Sequence, residues 1–237
     1  MHLMNHLRIF YWINQHFLNF FSQFYYQLLS YSILKSNCCR CIFVSKYLCM
    51  HDIEPFYNWR HIYVSEEDQR SPFYGQTHSE FEFTQTVYNY YIHPQWDEFG
   101  SKTLYMKVLI ADYEEKYAIM ELIGEWNDAI ENDIMILKRE VIDVFELQGI
   151  NKFILIAENV LNFHSGDRDY YEEWYEETSD EHGWIVVLNM PEATQHDFKK
   201  ARLNRYLELI ELPEWRTYKP FHLFKKIDAV EQARLPG

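Results

Sequence analysis

Lys152-Phe153-Ile154-Leu155-Ile156-Ala157-Glu158 decides the fold. An unbroken apolar run between two charges, with no polar alternation, is the pattern of a short strand buried on both faces. Such a strand belongs inside a sheet with helices packed over it. Upstream, Ile130, Ile134, Leu137, Val141, Val144 and Phe145 recur at intervals of three and four, with Lys138, Arg139, Asp143 and Glu146 opposite, so a helix leads into the strand. Asp128-x-x-Glu131 predicts a capping box at its start, and Gly149 a stop at its end. Before the helix, residues 103–111 and 117–123 read as a hairpin closed by the polar turn 112–116, and an earlier strand is expected over 81–92. Downstream come a helix over about 168–178, a buried strand at 184–188 introduced by Gly183, and a third helix from Pro191 to about Ile210. A short strand at 215–218 and a helix after Pro220 close the chain. The order is a hairpin followed by β-α-β-α-β-α. It predicts an α/β fold whose parallel sheet is made mixed by an antiparallel hairpin at its N-terminal side.

Charge divides the chain near residue 50. No Asp or Glu precedes Asp52, and Cys38, Cys39, Cys41 and Cys49 all lie before Met50. Of the 22 Lys and Arg, only Arg8, Lys35, Arg40 and Lys46 fall in this part, leaving 18 against 36 acidic residues beyond it. Residues 1–49 are therefore expected to be a leader outside the fold, and 50–237 a single α/β domain. Residues 9–34 are rich in Phe, Tyr and Leu, but Asn14, Gln15, His16, Asn19 and Gln23 interrupt them, which is costly in a membrane span. A signal peptide lacks its small-residue cleavage site. A product starting at Met50, with the upstream residues not native, is the other reading, and membrane association depends on residues 9–34 being expressed. The cysteine-free remainder suits a reducing cytoplasm.

From 117 to 210 the order of elements resembles the STAS (anti-sigma-factor antagonist) family. Ile123-Gly124-Glu125 ends one strand. Phe153-Ile154-Leu155-Ile156 forms the next and leads to Val160-Leu161-Asn162-Phe163-His164-Ser165-Gly166. In that family an Asp-Ser-Ser/Gly motif at this place carries a Ser or Thr phosphorylated by a partner kinase, so the resemblance implies that role for Ser165. His164 stands where the family has its aspartate. The part from Met50 also resembles an uncharacterised bacterial protein family.

Open parallel sheets bind at the carboxyl ends of their strands. Three loops are expected there. They carry Trp126 and Asn127; Glu158, Asn159, Asn162, His164, Ser165 and Asp167; and Asn189. His164, Ser165 and Asp167 are neighbours along the chain, whereas a catalytic triad converges from separate loops, and no G-x-S-x-G elbow occurs. Cys38 and Cys41 make one C-x-x-C pair without a second. His93, Asp97, His164, Asp167 and His182 have no metal-ligand spacing on one helix, and no phosphate-binding glycine loop is present. No metal, cofactor or catalytic group is expected. Asp167–Glu181 holds eight acidic residues beside Tyr171, Trp174 and Tyr175, a face suited to a basic partner and unsuited to nucleic acid. The expected function is a non-catalytic regulatory or protein-interaction module. Its recognition face would lie at Ser165, His164 and Asp167. The alternative is a small-molecule binder or enzyme that uses the same polar rim.

Overall fold

Every helix and strand below belongs to residues 53–79, 81–87 and 90–234, the part of the chain that the computed structural model describes. The expectations for residues 1–49, including the leader, its cysteines and the stretch 9–34, lie outside it. Strands β3 (Leu104–Asp112) and β4 (Tyr117–Asn127) form the hairpin. They follow a separate pair of two-residue strands, β1 (Thr86–Val87) and β2 (Tyr90–Tyr91). The five-stranded sheet continues with β5 (Lys152–His164), β6 (Trp184–Leu188) and β7 (Glu208–Ile210) in the order β3-β4-β5-β6-β7. Within this five-stranded sheet only the β3–β4 pairing is antiparallel. The mixed α/β sheet is thus as expected from the hairpin and the alternation that follows it.

Helix α1 is built of Asp133–Leu137, a π turn at Lys138–Ile142 and Asp143–Leu147. It is followed by α2 (Asp169–Asp180), α3 (Glu192–Lys200) and α4 (Pro220–Arg234). Strand β5 shows why its sequence has no polar alternation. Phe153, Leu155 and Ala157 pack with Val141, Phe145 and Trp174 of α1 and α2, while Ile154 and Ile156 join Trp215, Leu223 and Phe224 on the opposite face. Both faces of a period-two strand are covered, and both sets are apolar.

Several boundaries differ from expectation. The strand predicted over 81–92 is only the β1–β2 pair, with Phe81 largely exposed. The third helix stops at Lys200, because Arg202 turns to φ +63° and the chain re-enters the sheet as β7. Leu203 and Leu207 still reach the core from this irregular path. The strand expected at 215–218 is the 3-10 turn Trp215–Thr217. Helix α1 begins later than its apolar spacing suggested. Asn132 takes φ +55°, and Ile130 is left 80% exposed in the preceding loop. The capping box does not form. Asp128 accepts the Ile134 N–H at 2.9 Å instead, and Glu131 pairs with Lys102.

The largest correction concerns β5, which runs on to His164. Glu158, Asn159, Asn162 and His164 therefore lie on a strand, not in a loop. The extension is held by β4, whose Ile123, Glu125, Trp126 and Asn127 register with Asn159, Asn162, Phe163 and His164. Gly124 makes this possible. It adopts φ +116°, and a Cβ there would sit 2.2 Å from the Thr103 carbonyl oxygen, so only glycine allows β4 to bend past β3.

Candidate functional site

The expected rim divides into two groups. The first lies at the ends of β4 and β5, where the β4–α1 and β5–α2 loops touch. The backbone N–H groups of Asp128 and Ala129 both donate to the His164 carbonyl, at 2.9 and 3.3 Å. Gly166 packs so close that a Cβ would meet the Asp128 carbonyl oxygen at 2.5 Å. The imidazole of His164 is half exposed and pairs through Nε2 with Glu125 Oε1 at 2.6 Å. Ser165, Gly166 and Asp167 are exposed, and Asp167 Oδ1 accepts the Arg168 N–H. Ile130 and Ala129 stand exposed in the adjoining loop.

Trp126 does not reach this surface. It is fully buried among Phe163, Tyr171 and Phe198, with ring centroids 6.2–6.3 Å apart. Its indole N–H donates to Asp128 Oδ1, and the Tyr171 hydroxyl donates to Asp128 Oδ2 at 2.6 Å. Burial pushes the Asp128 carboxyl up to about 7 in spite of these donors. Asn127 is also buried. Its N–H donates to Asp133 and its Oδ1 accepts the Ile130 N–H, so it shapes the loop from beneath. Aromatic packing buries Trp126, and the bonds to Asp133 and Ile130 bury Asn127.

The second group lies on the α4 side. Asn189 Nδ2 and Trp215 Nε1 both donate to Glu158 Oε1, at 2.9 and 2.8 Å. Arg216 clasps Glu158 Oε2 at 2.5 Å and approaches Glu121 at 3.7 Å. Asn189 takes φ +54° and also exchanges hydrogen bonds with the backbone of Leu212. This cluster joins the loop after β7 to the sheet. Asn159 is half-buried and Asn162 exposed on β5 between the two groups.

Two further charged clusters were not anticipated. In the first, Lys138 is buried between α1 and α2 and donates to Asp143, Glu146 and Glu177. In the second, Glu66, His78 and Asp97 from the irregular N-terminal part meet Lys107 of β3. His78 Nε2 lies 2.7 Å from Asp97 Oδ1 and 3.0 Å from Glu66 Oε1, while Lys107 Nζ lies 2.5 Å from that Glu66 oxygen and 3.0 Å from Asp97. Hydrogen bonds from its ring to the Asp97 and Glu66 carboxylates raise the His78 pKa to about 9. Burial works to raise Glu66, but the bonds from His78 and Lys107 hold it well below the usual carboxylate range. In sequence, Asp97 lies close to His93. The structure joins it to His78, a residue that no spacing singled out, because the three partners lie on separate turns.

No family model and no curated protein matches the chain. Among solved structures it is similar to the anti-sigma factor antagonist SpoIIAA in its unphosphorylated form, at 11% identity and a TM-score of 0.40 over 52% of this chain and 96% of that one. It is also similar to an anti-sigma factor antagonist from Mycobacterium paratuberculosis, at 14% identity and a TM-score of 0.37 over 52% of this chain and 94% of that one. No helix among the described residues is long and apolar enough to cross a membrane.

Proposed function

We propose that the chain is a non-catalytic regulatory module of the cytoplasm. It would bind a protein partner through the surface formed by Ala129, Ile130 and His164–Asp167, with Ser165 as the candidate phosphorylation site. The observation that carries this reading is the contrast between the two sides of that surface. Outside, Ile130 is 80% exposed beside a half-exposed imidazole and a short polar loop. Beneath it, Trp126, Phe163, Tyr171 and Phe198 fill the space where a small-molecule cavity behind Trp126 would have to open. An exposed apolar side chain in a polar rim is the pattern of an interaction anchor. Helix α2 adds exposed Glu172 and Glu176 nearby in sequence, which favours a basic partner and repels nucleic acid. A phosphate on Ser165 would add about −1.5 to −2 charges to this surface.

Photo-crosslinking in the source cells tests the reading. A crosslinker at position 165 is expected to yield one discrete protein adduct, and one at position 222 on α4 is not. With the partner in hand, Ile130→Asp should weaken binding by about 30-fold, roughly 2 kcal/mol. Ser165→Glu should weaken it by about tenfold. Equal adducts from both positions, or binding indifferent to Ile130→Asp, would remove the recognition surface from this place.

A further inference from the structure

We propose that Glu66, His78 and Asp97 form a binding site for a divalent transition-metal ion, with zinc the ion that suits their donor set. The donors are one imidazole nitrogen and two carboxylate oxygens, the mixed N/O set that zinc accepts. A tetrahedral ion with bonds of about 2.0 Å places its ligand atoms about 3.3 Å apart. His78 Nε2 already lies 2.7 Å from Asp97 Oδ1 and 3.0 Å from Glu66 Oε1, so the ligands need separate by only a few tenths of an ångström. The ammonium of Lys107, 3.2 Å from His78 Nε2 and closer to both carboxylates, takes the fourth corner. In this arrangement it is the internal cation that a metal ion displaces.

A second observation separates this cluster from an ordinary buried ion network. Asp97 is fully buried, and its Oδ2 has no hydrogen-bond partner among the described residues, although Oδ1 receives both Lys107 and His78. An unpaired buried carboxylate oxygen is costly, and a metal ion beside it would engage that lone pair. The Lys138 cluster provides the contrast. It also gathers three carboxylates, but it has no imidazole, and none of its side chains is among those left with an unpartnered buried atom. The location also fits a structural ion. The three ligands come from a stretch whose regular structure is one 3-10 turn and the two-residue strands β1 and β2, and Asp97 is bridged to Met106 of β3. A metal ion would fasten this irregular arm to the sheet, as metals do where little core is available. His78 borders two open cavities of about 540 and 660 Å³, which supply a way in.

Cobalt(II) is the probe, titrated at pH 7.5 into the full chain carrying Cys38→Ser, Cys39→Ser, Cys41→Ser and Cys49→Ser, so that no thiol competes. One equivalent is expected to bind with visible d–d absorption, to be displaced by zinc, and to raise the melting temperature. Asp97→Asn and His78→Ala should each weaken binding by about 100-fold, as loss of a direct ligand does. Lys107→Met removes the competing ammonium and should tighten binding by about tenfold, a gain that a purely structural ion network does not produce. If the ligand variants fail to fold, the Lys107→Met comparison decides alone. No binding below about 1 mM cobalt to the folded chain, or binding unchanged or weakened by Lys107→Met, would overturn the site.

Discussion

Lys138→Ala is expected to destabilise the fold by about 3–5 kcal/mol at pH 8, the usual consequence of removing one member of a buried ion network. The lysine is only 1% exposed, and its ammonium contacts Asp143, Glu146 at 2.8 Å and Glu177 at 2.6 Å. It neutralises carboxylates from two helices at once, since Glu177 belongs to α2. Without it, Glu146 and Glu177 lose the cation that joins them, while Asp143 keeps Arg139 at 3.0 Å. Even with the lysine present, burial pushes Glu146 up to about 7, so the ion pair only partly offsets desolvation. The lysine also opens the π turn Lys138–Ile142, an irregularity in α1 that lets its side chain meet acidic partners on both sides. Urea unfolding of the two proteins at pH 8 and pH 5.5 checks this. The difference should shrink at the lower pH, where Glu146 takes up a proton, and adding Glu146→Gln should recover part of the loss. A loss below about 1 kcal/mol at pH 8 would mean that the network behaves as a solvated surface pair.

Lys138 also shows how far the sequence could be read. Helical spacing places it on α1, on the polar side opposite the apolar stripe. The helix is covered by α2, and no one-dimensional pattern reveals that a polar side will be overlaid by another acidic helix. Strand β5 was legible in its first half, because a wholly apolar run has few other solutions. Its second half was not. Glu158, Asn159 and Asn162 read as loop, and only the long pairing with β4, permitted by Gly124, makes them strand. Among the site residues, His164, Ser165 and Asp167 lie exposed where β5 ends. Trp126 faces inward among Phe163, Tyr171 and Phe198, whereas Asn127, on the other side of the strand, is buried by its bonds to Asp133 and the Ile130 N–H. The grouping of Glu66, His78, Asp97 and Lys107 depends on tertiary contacts between segments that carry almost no periodicity. Similarly, β7 was absorbed into a helix because Leu203, Leu207 and Ile210 fit the helical period, and a left-handed turn at Arg202 left no sequence signal.

Glu121→Gln is expected to stabilise the fold by on the order of 3 kcal/mol at pH 8 and by nothing below about pH 4.5. Glu121 sits on β4 at a position where the alternation set by Tyr117 and Ile119 calls for an apolar residue, and its side chain is 2% exposed. It accepts the Phe56 N–H at 2.8 Å, has Arg216 at 3.7 Å, and feels the like charge of Glu158. Burial dominates these and raises its pKa from 4.5 to about 7. The folded protein therefore keeps a proton that the unfolded chain releases from about pH 4.5 upward. Stability falls as pH rises across that window and levels off above about 7, once the folded carboxyl also ionises. The gap corresponds to about 1.4 kcal/mol per pH unit, which sets the size of the effect. Glutamine keeps an oxygen for the Phe56 N–H and has no charge to desolvate, so the variant loses this slope. Asp128 and Glu146 are raised to about 7 by burial as well, so the parent curve alone cannot isolate Glu121, and the difference between the two proteins is the quantity to read. Unfolding free energies from pH 4 to 8.5 should give a difference that opens between about 4.5 and 7 and then stays flat. A variant less stable than the parent at pH 8 would show instead that Arg216 holds Glu121 ionised. The contact between arm and sheet at Phe56 would then be a charge-assisted bond, not one that the fold keeps in spite of a buried acid.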